Sequence, residues 1–158
     1  MTSVQNPRPD SYVLLQVGKR RLALPADTVE ELAPPVRLHA FPHRSPLVLG
    51  VIVRRGHIVP VYDVGPVLLG ESSPAHRFYL VARRMFGRVS EPSAIPVSGE
   101  CELASCEMQP PQAGRPAYVA GRIEVGDESL DVLNLEALVT SPAATNQSFE
   151  TAAREAQP

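Results

Sequence analysis

A chain of 158 residues with 15 basic and 17 acidic side chains, net charge -2, has room for one domain of ordinary size or two small lobes sharing a core. It offers no field of one sign for holding nucleic acid or an anionic membrane. Residues 1–10 lack the charged and apolar regions of a signal peptide, and no apolar run approaches the roughly 18 residues that span a bilayer, so a soluble cytoplasmic protein without direct membrane insertion is expected. Seventeen prolines, about twice the usual share of roughly 5%, with recurring β-branched residues and turn formers, favour short strands over long helices.

Residues 1–10 are polar with two prolines, and residues 141–158 hold Phe149 as their one large apolar group. Both segments are expected to be disordered tails around a folded body at 11–140, since they bury too little to offset ordering entropy. Residues 12–17 and 21–24 alternate around Gly18-Lys19-Arg20, which predicts a hairpin with glycine in the turn. Pro25 opens an irregular or helical turn; across 28–32 helical spacing puts Val29 and Leu32 on one side, and Pro34-Pro35 ends the segment. An extended bridge over 38–42 leads to strands at 51–54 and 57–62, turning at Arg55-Gly56, with Asp63 placed to cap a short helix. A second hairpin is predicted from 78–82 and 85–89 across Arg83-Arg84. Residues 98–116 have the weakest pattern, and strands at 118–125 and 129–133 then turn at Gly126-Asp127, with Asn134 in the capping place.

The stretch 49–68, LGVIVRRGHIVPVYDVGPVL, returns as 120–139, AGRIEVGDESLDVLNLEALV, at a constant offset of 71 without a gap. Gly50 meets Gly121, Ile52 meets Ile123, Val59 meets Leu130, Val61 meets Val132 and Asp63 meets Asn134. Each copy reads as strand, tight turn, strand and capped helix. A unit of this size that cannot bury its own apolar face predicts two similar halves packed together, with Gly50 and Gly121 at equivalent strands.

Motifs of catalysis are missing from the sequence. There is no phosphate-cradling glycine loop, no glycine-flanked serine and no metalloprotease His-Glu pair, so no catalytic residue, cofactor site or enzyme activity is expected. Cys101 and Cys106 with His39 and His43 lack the tight paired spacing of zinc motifs, and no metal site is expected. Glu30-Glu31 reads as a solvated face. Arg55 beside Gly56 projects from a fixed turn with five donors suited to bidentate pairing, although residue chemistry alone favours a solvated turn charge.

Several segments carry a resemblance. Val29-Glu30-Glu31-Leu32, Phe41-Pro42 ahead of Leu49-Gly50-Val51-Ile52, Val53-Arg54-Arg55-Gly56, the run His57 to Val64 with its Val-Pro-Val-x-Asp pattern, Leu68-Leu69-Gly70, and Val132-Leu133-Asn134 together resemble a CheW-like domain, the module of chemotaxis coupling proteins, over residues 12–139. The resemblance implies an all-β fold of two five-stranded SH3-like barrels packed around a shared core, with short helices. It also implies a non-enzymatic adaptor, without cofactors, that couples a CheA-type histidine kinase, through the kinase's own CheW-like regulatory domain, to the cytoplasmic tip of chemoreceptors. Arg55 and Gly50 fall on the arginine and glycine that the family uses in partner binding, and Val29 on a receptor-facing position. Arg54 and Gly56, which flank Arg55, complete the expected partner-binding set. Val53 and Arg54 replace the family's asparagine and leucine, and residues 87–92 replace its Gly-Leu-x-Val-Asp, making what reads as an edge more polar, with Pro92 removing a backbone donor. These departures leave open a divergent CheW-like binding or inhibitory subunit that engages one partner outside standard receptor arrays.

Overall fold

A computed structural model describes residues 10–42, 47–71, 78–86, 88–98 and 101–140. The expected tails, apart from Asp10, lie outside the described residues, as do His43 and Gly87. Among the described residues ten strands make two five-stranded sheets, ordered β8-β1-β2-β10-β9 and β3-β6-β7-β5-β4. The strands are β1 (Asp10–Val17), β2 (Arg20–Pro25), β3 (Val29–Ala33), β4 (Val48–Arg54), β5 (His57–Tyr62), β6 (Phe78–Phe86), β7 (Val89–Val97), β8 (Glu102–Cys106), β9 (Val119–Val125) and β10 (Glu128–Leu133). Helix is confined to a 3-10 turn at Ala26–Thr28 and two short α-helices, α1 (Gly65–Leu68) and α2 (Leu135–Val139). The fold is mostly β, as composition and turn signals predict.

The repeat is present in three dimensions. β4 and β5 map onto β9 and β10 residue for residue at the offset of 71. The supporting contacts repeat as well. His39 and Val51 exchange backbone hydrogen bonds of 2.8 and 2.9 Å, as Gln109 and Arg122 do at 2.7 and 3.0 Å. The Asp63 amide donates to the Leu47 carbonyl and the Asn134 amide to the Tyr118 carbonyl. Gly50 and Gly121 serve this crossing: a Cβ on Gly50 would collide with the His39 carbonyl, and one on Gly121 would lie 2.6 Å from the Gln109 carbonyl. Backbone oxygens cannot swing aside as a flexible side chain can, so any side chain there would push the crossing segment off the strand. Asn134 is the N-cap of α2 and accepts from the Ala137 amide at 3.1 Å; Asp63 stands one residue before the N-cap of α1, Val64, and its carboxylate accepts from the Gly65 amide at 2.9 Å.

Each barrel draws strands from both halves. β1 and β2 stand beside β8, β9 and β10, whereas β6 and β7 stand beside β3, β4 and β5. The third strand of each half therefore leaves its own hairpin and adds to the other one: β3 to β6, β8 to β1. Single parallel steps, Ala23 to Val132 and Val61 to Ala94, join the two parts of each sheet.

Burial follows from this arrangement. Tyr12 and Leu14 of β1 fill one barrel with Ala23, Ile123, Leu130 and Val132. Their neighbours Val13, Leu15 and Val17 face the opposite way, into a core shared by both barrels and covered by Leu68 of α1 and Leu135 and Leu138 of α2. β6 repeats the division, with Tyr79 and Val81 inside the second barrel and Leu80 and Ala82 in the shared core. A strand buried on both faces reads as a continuous apolar run, which is why YVLL and YLVA do not alternate.

Three expectations are corrected. The segment after Pro25 is helical only over Ala26–Thr28; Val29–Ala33 is a strand in register with β6, so Val29 and Leu32 do not share a face. Period-two alternation turns Glu31 and Ala33 inward and leaves Glu30 and Leu32 outside. Arg83-Arg84 is not a turn: β6 runs through both residues, paired with Pro92 and Glu91, and the chain reverses between Phe86 and Val89. Arg84 is buried there with its guanidinium carbon 5.1 Å from the centre of the Tyr62 ring, a cation–π arrangement that accommodates a charge inside the sheet. Finally, β7, which carries Pro92, is the central strand of its sheet rather than an edge.

Candidate functional site at the β4–β5 turn

The β4–β5 hairpin reverses through Arg55 and Gly56, both at positive φ, 50° and 78°. Two consecutive positive-φ residues are the signature of the tight hairpin turn whose twist matches that of its strands. The Arg55 side chain stands out from it, 80% exposed.

Arg54 points elsewhere. Its Nε donates to Glu31 Oε1 at 2.8 Å and its Nη2 to Glu31 Oε2 at 3.2 Å. β3 and β4 are the two outer strands of their sheet, so this fork joins the edges and closes the sheet into a barrel. Glu31 also lies 3.7 Å from Arg55 Nη2, and Glu30, on the outward face of β3, accepts from Arg83 Nε at 2.7 Å. Val29, Glu31, Arg54, Arg55, His57 and Arg83 line a groove of 610 Å³ along this closure. On the outer face of the hairpin Val53 and Ile58 sit opposite each other, 53% and 65% exposed. A basic tip thus borders an uncovered apolar pair, the mixture of donor forks and apolar area that protein contact surfaces use.

Hydrogen bonding from Arg54 holds the Glu31 carboxyl below its ordinary value of 4.5, against the opposing pull of partial burial. A carboxylate with a depressed pKa in the folded state contributes stability that is present above the unfolded value and lost as pH falls through the folded one. In acid titrations monitored by thermal unfolding, Glu31→Gln is expected to be less stable than the parent at neutral pH, with the gap closing below about pH 4.5. A gap that stays constant through that window would show that the fork does not depend on the Glu31 charge.

The structure brings Val29, Arg54, Arg55 and Gly56 to one groove and its rim. Gly50 lies apart from them, buried near the other end of β4, ~13 Å along the strand from Arg54 at the usual rise. Its position is explained by the His39 crossing. Glu31, Glu30, Arg83 and His57 belong to the groove and were not singled out as site residues from sequence; VEELA gives no signal for Glu31, since its polarity does not alternate and the strand turns Glu31 inward while Leu32 faces out. Cys101 packs against the shared core and Cys106 against the interior of the first barrel, where burial pushes both thiols up. His39 sits on the β4 edge, so these residues are not gathered at one place. Among the described residues no group of three His, Cys, Asp or Glu side chains is placed to hold a metal ion, and no helix is long and apolar enough to cross a membrane.

Two curled five-stranded sheets sharing a core, with the strand exchange and the paired hairpins, define a two-barrel β module. A family model for the CheW-like domain matches residues 11–143, and the chain belongs to that family; its barrels are SH3-like. The crystal structure of the scaffolding protein TtCheW from Thermoanaerobacter tengcongensis is similar with a TM-score of 0.70 at 19% sequence identity, covering 87% of this chain and 92% of that one. At that identity the likeness concerns the fold. No curated protein sequence matches the chain.

Proposed function

We propose that this protein is a non-enzymatic adaptor that couples a CheA-type histidine kinase, through the kinase's CheW-like regulatory domain, to the cytoplasmic tip of chemoreceptors. Family membership supports the class of function, and the solved neighbour is described as a scaffolding protein. The observation that carries the reading is the hairpin tip: Arg55 projects into solvent while Arg54 and Glu31 hold the barrel edge beneath it, beside the exposed Val53 and Ile58. In this reading Arg55, Arg54, Gly56 and Val29 form the partner surface, and Gly50 acts by keeping β4 in place. The body at 11–140 carries the activity, which operates in the cytoplasm.

The narrower alternative, a CheW-like subunit that binds one partner, is favoured by one feature. Arg54, where the family has leucine, is taken up by Glu31. A capture experiment separates the readings. Immobilised kinase regulatory domain is expected to retain a soluble receptor-tip fragment only when this chain is added. Retention of the chain without the receptor tip would establish the one-partner reading, and failure to bind either would overturn both.

A further inference from the structure

The outer face of the repeated hairpin differs in kind between the lobes. Val51, Val53, Ile58 and Pro60 make it apolar in the first copy; the positions 71 residues on are Arg122, Glu124, Ser129 and Asp131. The register is the same in both, Val51 opposite Pro60 and Val53 opposite Ile58, Arg122 opposite Asp131 and Glu124 opposite Ser129. The architecture therefore does not require charge on this face. Arg20 and Arg21 of β2, and Arg115 and Gln112 from the segment before β9, close around it to leave a concavity of 490 Å³.

Four guanidinium groups line that space with one carboxylate. Asp131 sits at its base, largely buried, and accepts from Arg20 Nη2 at 2.9 Å, while Arg20 Nη1 donates to the Leu68 carbonyl at 3.2 Å. That arginine is fixed from two sides. The acids facing the others, Glu102, Glu124 and Glu128, are half-exposed or more, where solvent leaves an ion pair little net strength. Two guanidiniums remain under-used. The Nε of Arg122 is buried without an acceptor, and the carboxylate oxygen nearest Arg115, on Asp131, is 3.8 Å away, beyond hydrogen-bonding distance. The Arg122 Nε has no surface open to solvent and is out of reach of a group in the concavity, whereas Arg115, 45% exposed, has donors open to an oxyanion there.

We propose that this concavity binds a phosphate-bearing small molecule. Arg115 and Arg122 present planar forks matched to phosphate oxygens, the Ser129 hydroxyl and Gln112 amide add neutral donors, and the Arg20–Asp131 pair is the fixed base. The volume falls within the range of about 300–1,000 Å³ common to small-molecule sites and exceeds what a bare phosphate fills, leaving room for an attached organic group.

The test is an NMR titration of the full chain with inorganic phosphate, ribose 5-phosphate, ribose and glutarate at constant ionic strength. Saturable shifts are expected at Arg115, Arg122 and Ser129, tighter for ribose 5-phosphate than for phosphate, and absent with ribose. Arg115→Gln is expected to weaken binding about tenfold, the size of one lost charge-assisted bond, and Arg37→Gln, on an exposed arginine outside the pocket, to leave it unchanged. Arg122→Gln serves as a second variant, read only with an unchanged circular dichroism spectrum; Arg115 lies outside the strands, so its variant does not depend on that condition. Shifts that rise linearly and spread over all exposed arginines, glutarate binding as tightly as phosphate, or unaltered affinity in Arg115→Gln would each overturn the assignment.

Discussion

Cut between Glu71 and Ser72, the two pieces of this chain are expected to be unfolded apart and to refold when mixed. The first piece holds β1 to β5, but β1 and β2 lack β8 and β10 beside them, and β3 to β5 lack β6 and β7. A lone two-stranded hairpin is marginal in water. The shared core is equally divided, with Val13, Leu15, Leu22 and Leu24 on one piece and Leu80, Ile95, Leu135 and Leu138 on the other. Circular dichroism of each fragment is expected to show no β signature, with the parent spectrum recovered at equimolar mixing in a concentration-dependent manner. A dispersed NMR spectrum from either fragment alone would mean that a half can close its own barrel, and that the strand exchange is not obligatory.

Reversing the charge at Arg55 is expected to weaken partner binding at least about tenfold without altering the fold. The side chain is mostly in solvent and its contact with Glu31, at 3.7 Å, is long, so little stability depends on it. A carboxylate in its place meets Glu31 and any acidic partner group as a like charge, and truncating a desolvated interface pair typically costs about 2 to 5 kcal/mol. Titration of Arg55→Glu against the kinase regulatory domain and against the receptor tip reads the effect, with circular dichroism as the fold control. Undiminished affinity for both, in a folded variant, would reduce Arg55 to a solvated turn residue.

What could be read in advance depended on whether local and global signals agree. At β4–β5 they do: alternation, the Arg55-Gly56 turn and the repeat at Gly121 all point to one hairpin, and the strand bounds coincide with their counterparts. β3 was not legible because five residues, VEELA, fit one helical turn as well as a short strand, and only pairing with β6 decides. Arg83-Arg84 imitates a turn; what carries the strand through both is their pairing with Pro92 and Glu91 of β7, and the buried Arg84 meets the Tyr62 ring, distant in sequence. β8 was hidden in the poorly patterned 98–116 stretch because its one large aliphatic residue, Leu103, faces solvent, so its position comes from the free edge of β1. Likewise Arg55 was visible from its turn, but Glu31 was not, since its meeting with Arg54 exists only once the opposite edges of a sheet curl together.

The two sister turns also differ at their tips. The position occupied by Arg55, at φ 50°, is filled by Gly126 at φ 59° in the second copy. Glycine enters the left-handed region freely, whereas a residue with a Cβ is held there at a cost on the order of 1 kcal/mol or more. The next positions differ, Gly56 being at positive φ, 78°, and its counterpart Asp127 not, so the two turns are of different type although the flanking strands keep the same register. Local folding preference does not explain an arginine at that tip. The side chain, rather than the turn, accounts for its presence, and a first lobe tuned for thermal stability alone would carry glycine or asparagine there.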